Sequence, residues 1–196
     1  MEKNRPANAE YFEKEGFSET KLPGTPGLRR DFSGCAFRNC DFSGTDFKNA
    51  SFVDCNFADC NFSNAKMAGA RFTHAIFCGC KFMGVDFSRV QQMLLSWRFD
   101  GCNMEFCDFS GLAMKGSSFE NCAVFDSEFR DAVMEESTFC GSDLRNSVFA
   151  GCDLRRADLR GARNYFIDPT KNKLRGAYLS LPEAAGLLYP LGVKLD

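Results

Sequence analysis

From Phe32 onward a large apolar residue returns every five positions: Phe32, Phe37, Phe42, Phe47, Phe52, Phe57, Phe62, Met67, Phe72, Phe77, Phe82 and Phe87. A second run takes in Leu94, Phe99, Met104, Phe109, Met114, Phe119, Val124, Phe129, Met134, Phe139, Leu144, Phe149, Leu154 and Leu159. A period of five fits neither the 3.6-residue helix nor the two-residue strand. Two residues before each large one lies a slot for small side chains, among them Cys35, Cys40, Ala50, Cys55, Cys60 and Ala65. The other three slots carry Asp, Asn, Ser, Gly, Arg and Lys. Two side chains in five therefore point inward and three outward, and the chain must turn a corner about every five residues. Four such sides close a square coil of about 20 residues, and coils stack at the strand spacing of about 4.8 Å. The expected fold is all-β, a right-handed quadrilateral β-helix. Phe42, Phe62, Phe82, Phe109, Phe119, Phe129 and Phe149 represent its core.

The period also divides the chain. Residues 1–30 read as an irregular N-terminal segment, with Phe12, Phe17 and Leu22 in register with Phe32 and so open to a loose first coil. Residues 31–180 form the β-helix, with a break near 90–97. The spacing from Phe87 to Leu94 is seven, which places two extra residues within about Arg89–Gln92. The pattern lapses again at Asn164–Lys173 and returns at Leu174 and Leu179 on the same 20-residue register as Leu154 and Leu159. Residues 181–196 change character. Ser180-Leu181-Pro182-Glu183 has the form of a capping box opening a short helix. A helix there covers the last coil, whose core and strand edges are otherwise open. Leu181, Leu187, Leu188, Tyr189, Leu191, Val193 and Leu195 are more apolar residues than one coil end needs, and they are the expected dimer interface.

Little in the chain suggests catalysis. His74, the single histidine, falls in an outward slot, and no phosphate-cradling glycine loop or nucleophile–base pair is recognisable. Nine of the eleven cysteines occupy the small inward slot, where Cys is a small apolar residue interchangeable with Ala or Ser. No metal or cofactor is expected. Cys78 and Cys140 lie outward, open to reaction. No leader or membrane-spanning run is visible, which favours a cytoplasmic protein with reduced thiols. Charge carries the functional signal. Between 99 and 162 twelve acids face six bases, while the rest of the chain is slightly basic. Direct nucleic-acid binding is not expected of such a balance. Lys115, Glu135 and Arg155 share one column at 20-residue spacing, a favourable ladder. Asp108 and Glu128, like Asp100 and Glu120, stack like charges. With Asp126, Asp131, Glu135 and Glu136 they make the expected acidic partner-binding face.

Cys-Asp-Phe-Ser-Gly at 40–44, Cys-Asn-Phe-Ala-Asp at 55–59, Ser-Asp-Leu-Arg-Asn at 142–146 and Ala-Asp-Leu-Arg-Gly at 157–161 resemble the repeat of the pentapeptide-repeat family. The outline is similar to the topoisomerase-modulating branch, which includes the Qnr, albicidin-resistance and microcin-immunity proteins. The shared features are the interrupted Cys/Phe-rich run, the non-repeat stretch at 164–172, and the tail Leu-Ser-Leu-Pro-Glu-Ala-Ala-Gly-Leu-Leu at 179–188 with Leu191-Gly192-Val193. The resemblance implies a homodimer joined through its C-terminal tail. It also implies a rod that mimics the width and charge of duplex DNA and docks on DNA gyrase or topoisomerase IV, protecting it from quinolones or natural gyrase poisons. The long projecting loops of some Qnr proteins have no counterpart here. An interaction scaffold with an unrelated protein partner remains the alternative, and a thiol or metal protein the third.

Overall fold

A computed structural model describes residues 9–21, 29–93 and 95–194. Leu22, Leu94 and Leu195, named above for the first coil, the second run and the dimer interface, lie outside these. The chain winds as a right-handed quadrilateral β-solenoid of about eight turns, with a short helix at the C-terminal end. Each face is a ladder of very short parallel strands. Ala9–Glu13, Arg29–Ser33, Ser51–Val53 and Arg71–Thr73 pair on the first. The second carries Gly16–Ser18, Ala36–Arg38, Asn56–Ala58, Ala75–Cys78, Trp97–Asp100 and Ser118–Glu120. Lys81–Met83, Asn103–Glu105 and Ala123–Phe125 define the third, and Val148–Phe149 with Phe166–Ile167 the fourth.

The core is a set of aromatic columns. Phe37, Phe57, Phe77 and Phe99 stack ring on ring at 4.9 Å, the separation the strand pairing imposes. Rings on adjacent faces meet edge to face, as Phe77 and Phe82 do at 5.5 Å. Phe42, Phe62, Phe82, Phe109, Phe119, Phe129 and Phe149 are all buried. Phe12 and Phe17 stack on Phe32 and Phe37, so the first coil begins before residue 30.

The small slot does more than fill space. Its thiols and hydroxyls donate to the backbone of neighbouring coils. Ser142 Oγ donates to the Phe119 carbonyl at 2.7 Å and accepts from Cys122 N at 2.8 Å. Cys55 and Cys60 point their thiols at the Phe32 and Phe37 carbonyls. A small side chain with one weak donor suits a slot that faces peptide groups at close range. Corners are made by residues with positive φ. In the turn from Phe42 to Thr45, closed by a 3.0 Å bond, the third residue is Gly44 at φ 63, as a type II turn requires.

The interruption of the period lies slightly later than the spacing suggests. Arg89 and Gln91 still bond to Gly69 and Ala70 in the 20-residue register, and Val90 takes the inward small slot. By Leu95, which bridges Thr73, and Trp97, which pairs with Ala75, the register is 22. The register therefore shifts by two residues between Gln91 and Leu95. Trp97 occupies a small slot. Its indole packs 5.5 Å from Phe87, and Nε1 donates to the Phe72 carbonyl at 2.9 Å. The second lapse is a shortcut followed by a detour. Val148 pairs with Phe166, eighteen residues on, and the turn from Asp168 to Lys171 restores the register by Lys173, which bridges Asp153. Asn172 fills the small slot above Cys152. Its Oδ1 accepts from Cys152 N at 2.9 Å, and its Nδ2 donates to the carbonyls of Phe149 and Asp168.

The C-terminal helix differs in detail from the expected one. It is a 3₁₀ helix, Glu183–Leu191, with Pro182 at its N-cap and no side-chain cap. The helix begins at Glu183, too late for Ser180 to be its N-cap, so the capping box does not form, and Ser180 Oγ instead accepts from Gly161 N at 2.9 Å. Gly192, at φ 73, closes the helix through bonds to the carbonyls of Leu188 and Tyr189.

Candidate partner-binding surface

Winding the chain distributes the acidic stretch around the rod. Asp108 and Glu128 share a column on the fourth face, and Asp86, which the sequence-derived set omits, lies beneath them. Asp100 and Glu120 pair on the second face. Asp126 and Asp131 stand at corners, both at positive φ. Glu135 and Glu136 close the same coil on the first face. The eight acids therefore form a girdle, not one face.

Ion pairing divides the girdle along the axis. Lys115 lies 3.3 Å from Glu135 and 3.4 Å from Glu136, Arg155 reaches Glu135 at 3.9 Å, and Arg156 pairs with both carboxylates. Arg156 beside Glu136 holds that carboxyl below the usual range. Higher up, Asp143 meets Arg145 and Arg163, each at 3.2 Å, and Asp153 meets Arg155 at 2.7 Å and Lys173 at 3.8 Å. Glu135 and Glu136 are thus largely neutralised. Among the described residues Asp86, Asp100, Glu105, Asp108, Glu120, Asp126 and Asp131 make no ion pair, although Asn121 donates to Asp100 and Asn146 to Asp126. Glu128 has Arg130 at 2.7 Å. Unbalanced negative charge is concentrated in the coils from 86 to 131, and basic side chains dominate from 155 to 175.

The C-terminal end is covered incompletely. Leu187 packs against the core cluster and Leu188 is half-buried, while Leu181 is 80% exposed, Tyr189 66%, Leu191 54% and Val193 42%. These exposed apolar side chains all lie in the C-terminal segment after the last coil.

Burial disfavours the thiolate at several of the inward cysteines, whereas thiol hydrogen bonds from neighbouring cysteines lower Cys60 and Cys102. Burial pushes Cys55 and Cys107 up to about 12 and Cys152 up to about 11. The Cys152 thiol donates to the Phe129 carbonyl at 2.8 Å. Cys78 is exposed, yet partial burial of its sulfur and the nearby Asp100 charge raise its thiol as well, which disfavours the nucleophilic thiolate. Among the described residues no group of three or more His, Cys, Asp or Glu side chains is placed to hold a metal ion. His74 Nδ1 lies 3.1 Å from Asp54 Oδ1 on the surface. No helix among them is long and apolar enough to cross a membrane.

Two family models match the chain, one of a pentapeptide repeat region at residues 30–93 and one described as pentapeptide repeats (8 copies) at 127–163. The chain belongs to the pentapeptide-repeat family. No curated protein sequence matches it. Among solved structures it is similar to full-length QnrB1, a plasmid-mediated fluoroquinolone resistance protein. That match has 22% identity and a TM-score of 0.37, and covers 94% of this chain and 100% of the other. It is also similar to HetL from the cyanobacterium Nostoc sp. strain PCC 7120, a pentapeptide repeat protein involved in heterocyst differentiation regulation. There the identity is 15% and the TM-score 0.35, over 86% of this chain and 84% of HetL. A third similar structure is a pentapeptide repeat protein of the Arabidopsis thaliana thylakoid lumen, at 20% identity and a TM-score of 0.18, covering 64% of this chain and 65% of that one.

Proposed function

We propose that this chain is a non-enzymatic, DNA-mimicking protein that binds a type II topoisomerase, DNA gyrase or topoisomerase IV, in the cytoplasm and protects it from quinolones or natural gyrase poisons. The supporting observation is the part of the girdle, Asp100, Asp108, Glu120, Asp126 and Asp131, whose carboxylates make no ion pair among the described residues. A surface that binds DNA is basic, and a rigid acidic rod complements it electrostatically. Purified gyrase in a supercoiling assay, with and without drug, tests this. Protection or inhibition that rises with dose is expected, and the absence of both over a wide dose range rejects it for the drugs tested. Reversing Asp126, Glu128 and Asp131 to Lys should raise the effective dose by about tenfold or more at little cost to the fold, because all three side chains lie outside the core and lysine already occupies, at Lys14, the left-handed backbone that Asp126 and Asp131 share. An unchanged dose would remove the carboxylates from the mechanism.

The exposed apolar end supports a homodimer joined tail to tail, the self-complementary arrangement of a two-fold axis. Sedimentation should give twice the chain mass, and a Leu188→Asp/Leu191→Asp variant should give the monomer. A variant of unchanged mass would place the association elsewhere. The basic coils from 155 to 175 favour the alternative, a scaffold for an unrelated protein partner, because duplex DNA offers no such positive zone.

A further inference from the structure

One corner of the rod breaks the rule that outward positions are polar. Phe106 stands there at φ 54 and is 62% exposed. The other non-glycine residues at positive φ among those described are Asn, Asp, Lys, Glu, Arg and His. Left-handed backbone is uncommon for any of these and a marked outlier for a bulky aromatic side chain. Burial does not offset the strain, since the ring faces solvent. Strained residues that contribute nothing to packing point to use elsewhere.

The surroundings of Phe106 suggest what it receives. Its backbone N–H donates to the Phe125 carbonyl at 3.1 Å, and Phe125 and Met83 flank Glu105 in register on the third face. Around the corner runs the Asp86, Asp108, Glu128 column, and Asp126 follows on the next coil. An apolar patch thus lies among carboxylates that make no ion pair, Arg130 on Glu128 excepted. The same patch already holds one arginine on an aromatic ring, with Arg145 Cζ 5.0 Å above the centre of Phe125. Phe106 has the same kind of ring and acids beside it, with no cation over it among the described residues.

We propose that Phe106 is a docking point for an arginine side chain of a protein partner, with the guanidinium over the ring and Glu105, Asp108 and Asp126 balancing its charge. Arginine suits this better than lysine, because its planar, weakly hydrated cation stacks on aromatic faces. The site builds on the acidic girdle proposed above as a partner surface, but it does not require that the partner be a topoisomerase. Fluorescence anisotropy with a labelled peptide of alternating arginine and glycine, and with its lysine counterpart, tests it on the full-length protein. The arginine peptide should bind the wild type more tightly than the lysine peptide. Phe106→Asn should weaken the arginine peptide by about fivefold and the lysine peptide less, with Phe106→Tyr retaining the preference. Because Asn tolerates positive φ, Phe106→Asn should also raise the melting temperature, by about 2–4 °C. Equal loss for both peptides, unchanged affinity, or a lower melting temperature would overturn the proposal. A rod inactive on gyrase whose peptide and melting results hold would leave this site standing and remove only the topoisomerase.

Discussion

Phe119→Ala is expected to destabilise the rod by about 3–5 kcal/mol, measured by chemical denaturation at 25 °C. Phe119 stacks between Phe99 and Phe139, at 5.0 Å from each, and meets Phe109 and Phe129 edge to face at 5.6 and 5.9 Å. Truncation removes four ring contacts and opens a cavity in the middle of a column. The backbone cannot close it, because strand pairing fixes the coil spacing above and below. The equivalent slots at Met104, Met114 and Met134 hold methionine. Phe119→Met, close in volume and flexible, should therefore cost less than about 1.5 kcal/mol. A similar loss for both variants would mean that ring stacking, not filled volume, holds the column.

Asn172→Leu should cost about 3 kcal/mol or more, although the new side chain is apolar and similar in size. Asn172 satisfies three backbone groups, the Cys152 N–H and the carbonyls of Phe149 and Asp168, two of them in buried bonds. Each buried group left unpaired costs about 1–3 kcal/mol. Solenoids lose stability through their neighbouring interfaces, so the damage should concentrate in the last coils. Hydrogen exchange should show lost protection from about Cys152 onward and near-normal protection at Phe99. Uniform loss along the rod would instead show that the coils unfold as a single unit.

The repeat made most of the fold legible, because nearly every coil offers the same environment to the same slot. Legibility failed where one residue served a different purpose from its neighbours. Trp97 is hidden in the sequence because it stands in a slot that elsewhere holds small residues, just beyond the shift in register. Asn172 sits in a stretch without visible repeats, and its value lies in backbone groups that the sequence does not display. The expected capping box failed because the helix begins at Glu183, leaving Ser180 outside it with its Oγ turned to the coil below. The acidic stretch was visible as charge but not as shape. Residues close in sequence, such as Asp126, Asp131 and Glu136, stand at successive corners of a square, whereas Asp86, Asp108 and Glu128, far apart in sequence, form one column. Phe106 was present in the sequence as an outward phenylalanine, but its strain and exposure are properties of the corner it occupies.

The closed coil has a consequence for how such a rod can change. A one-residue insertion on a side would swap inward and outward side chains, so it must be absorbed locally, as the register shifts between Gln91 and Leu95 and at 168–171 are. A whole extra coil keeps every slot in place and lifts everything beyond it by about 4.8 Å. The height of the carboxylate girdle above the apolar end is therefore set in discrete steps. Two rods joined at those ends would hold their girdles at a separation adjustable only in multiples of that step, much as a ruler is read only at its marks.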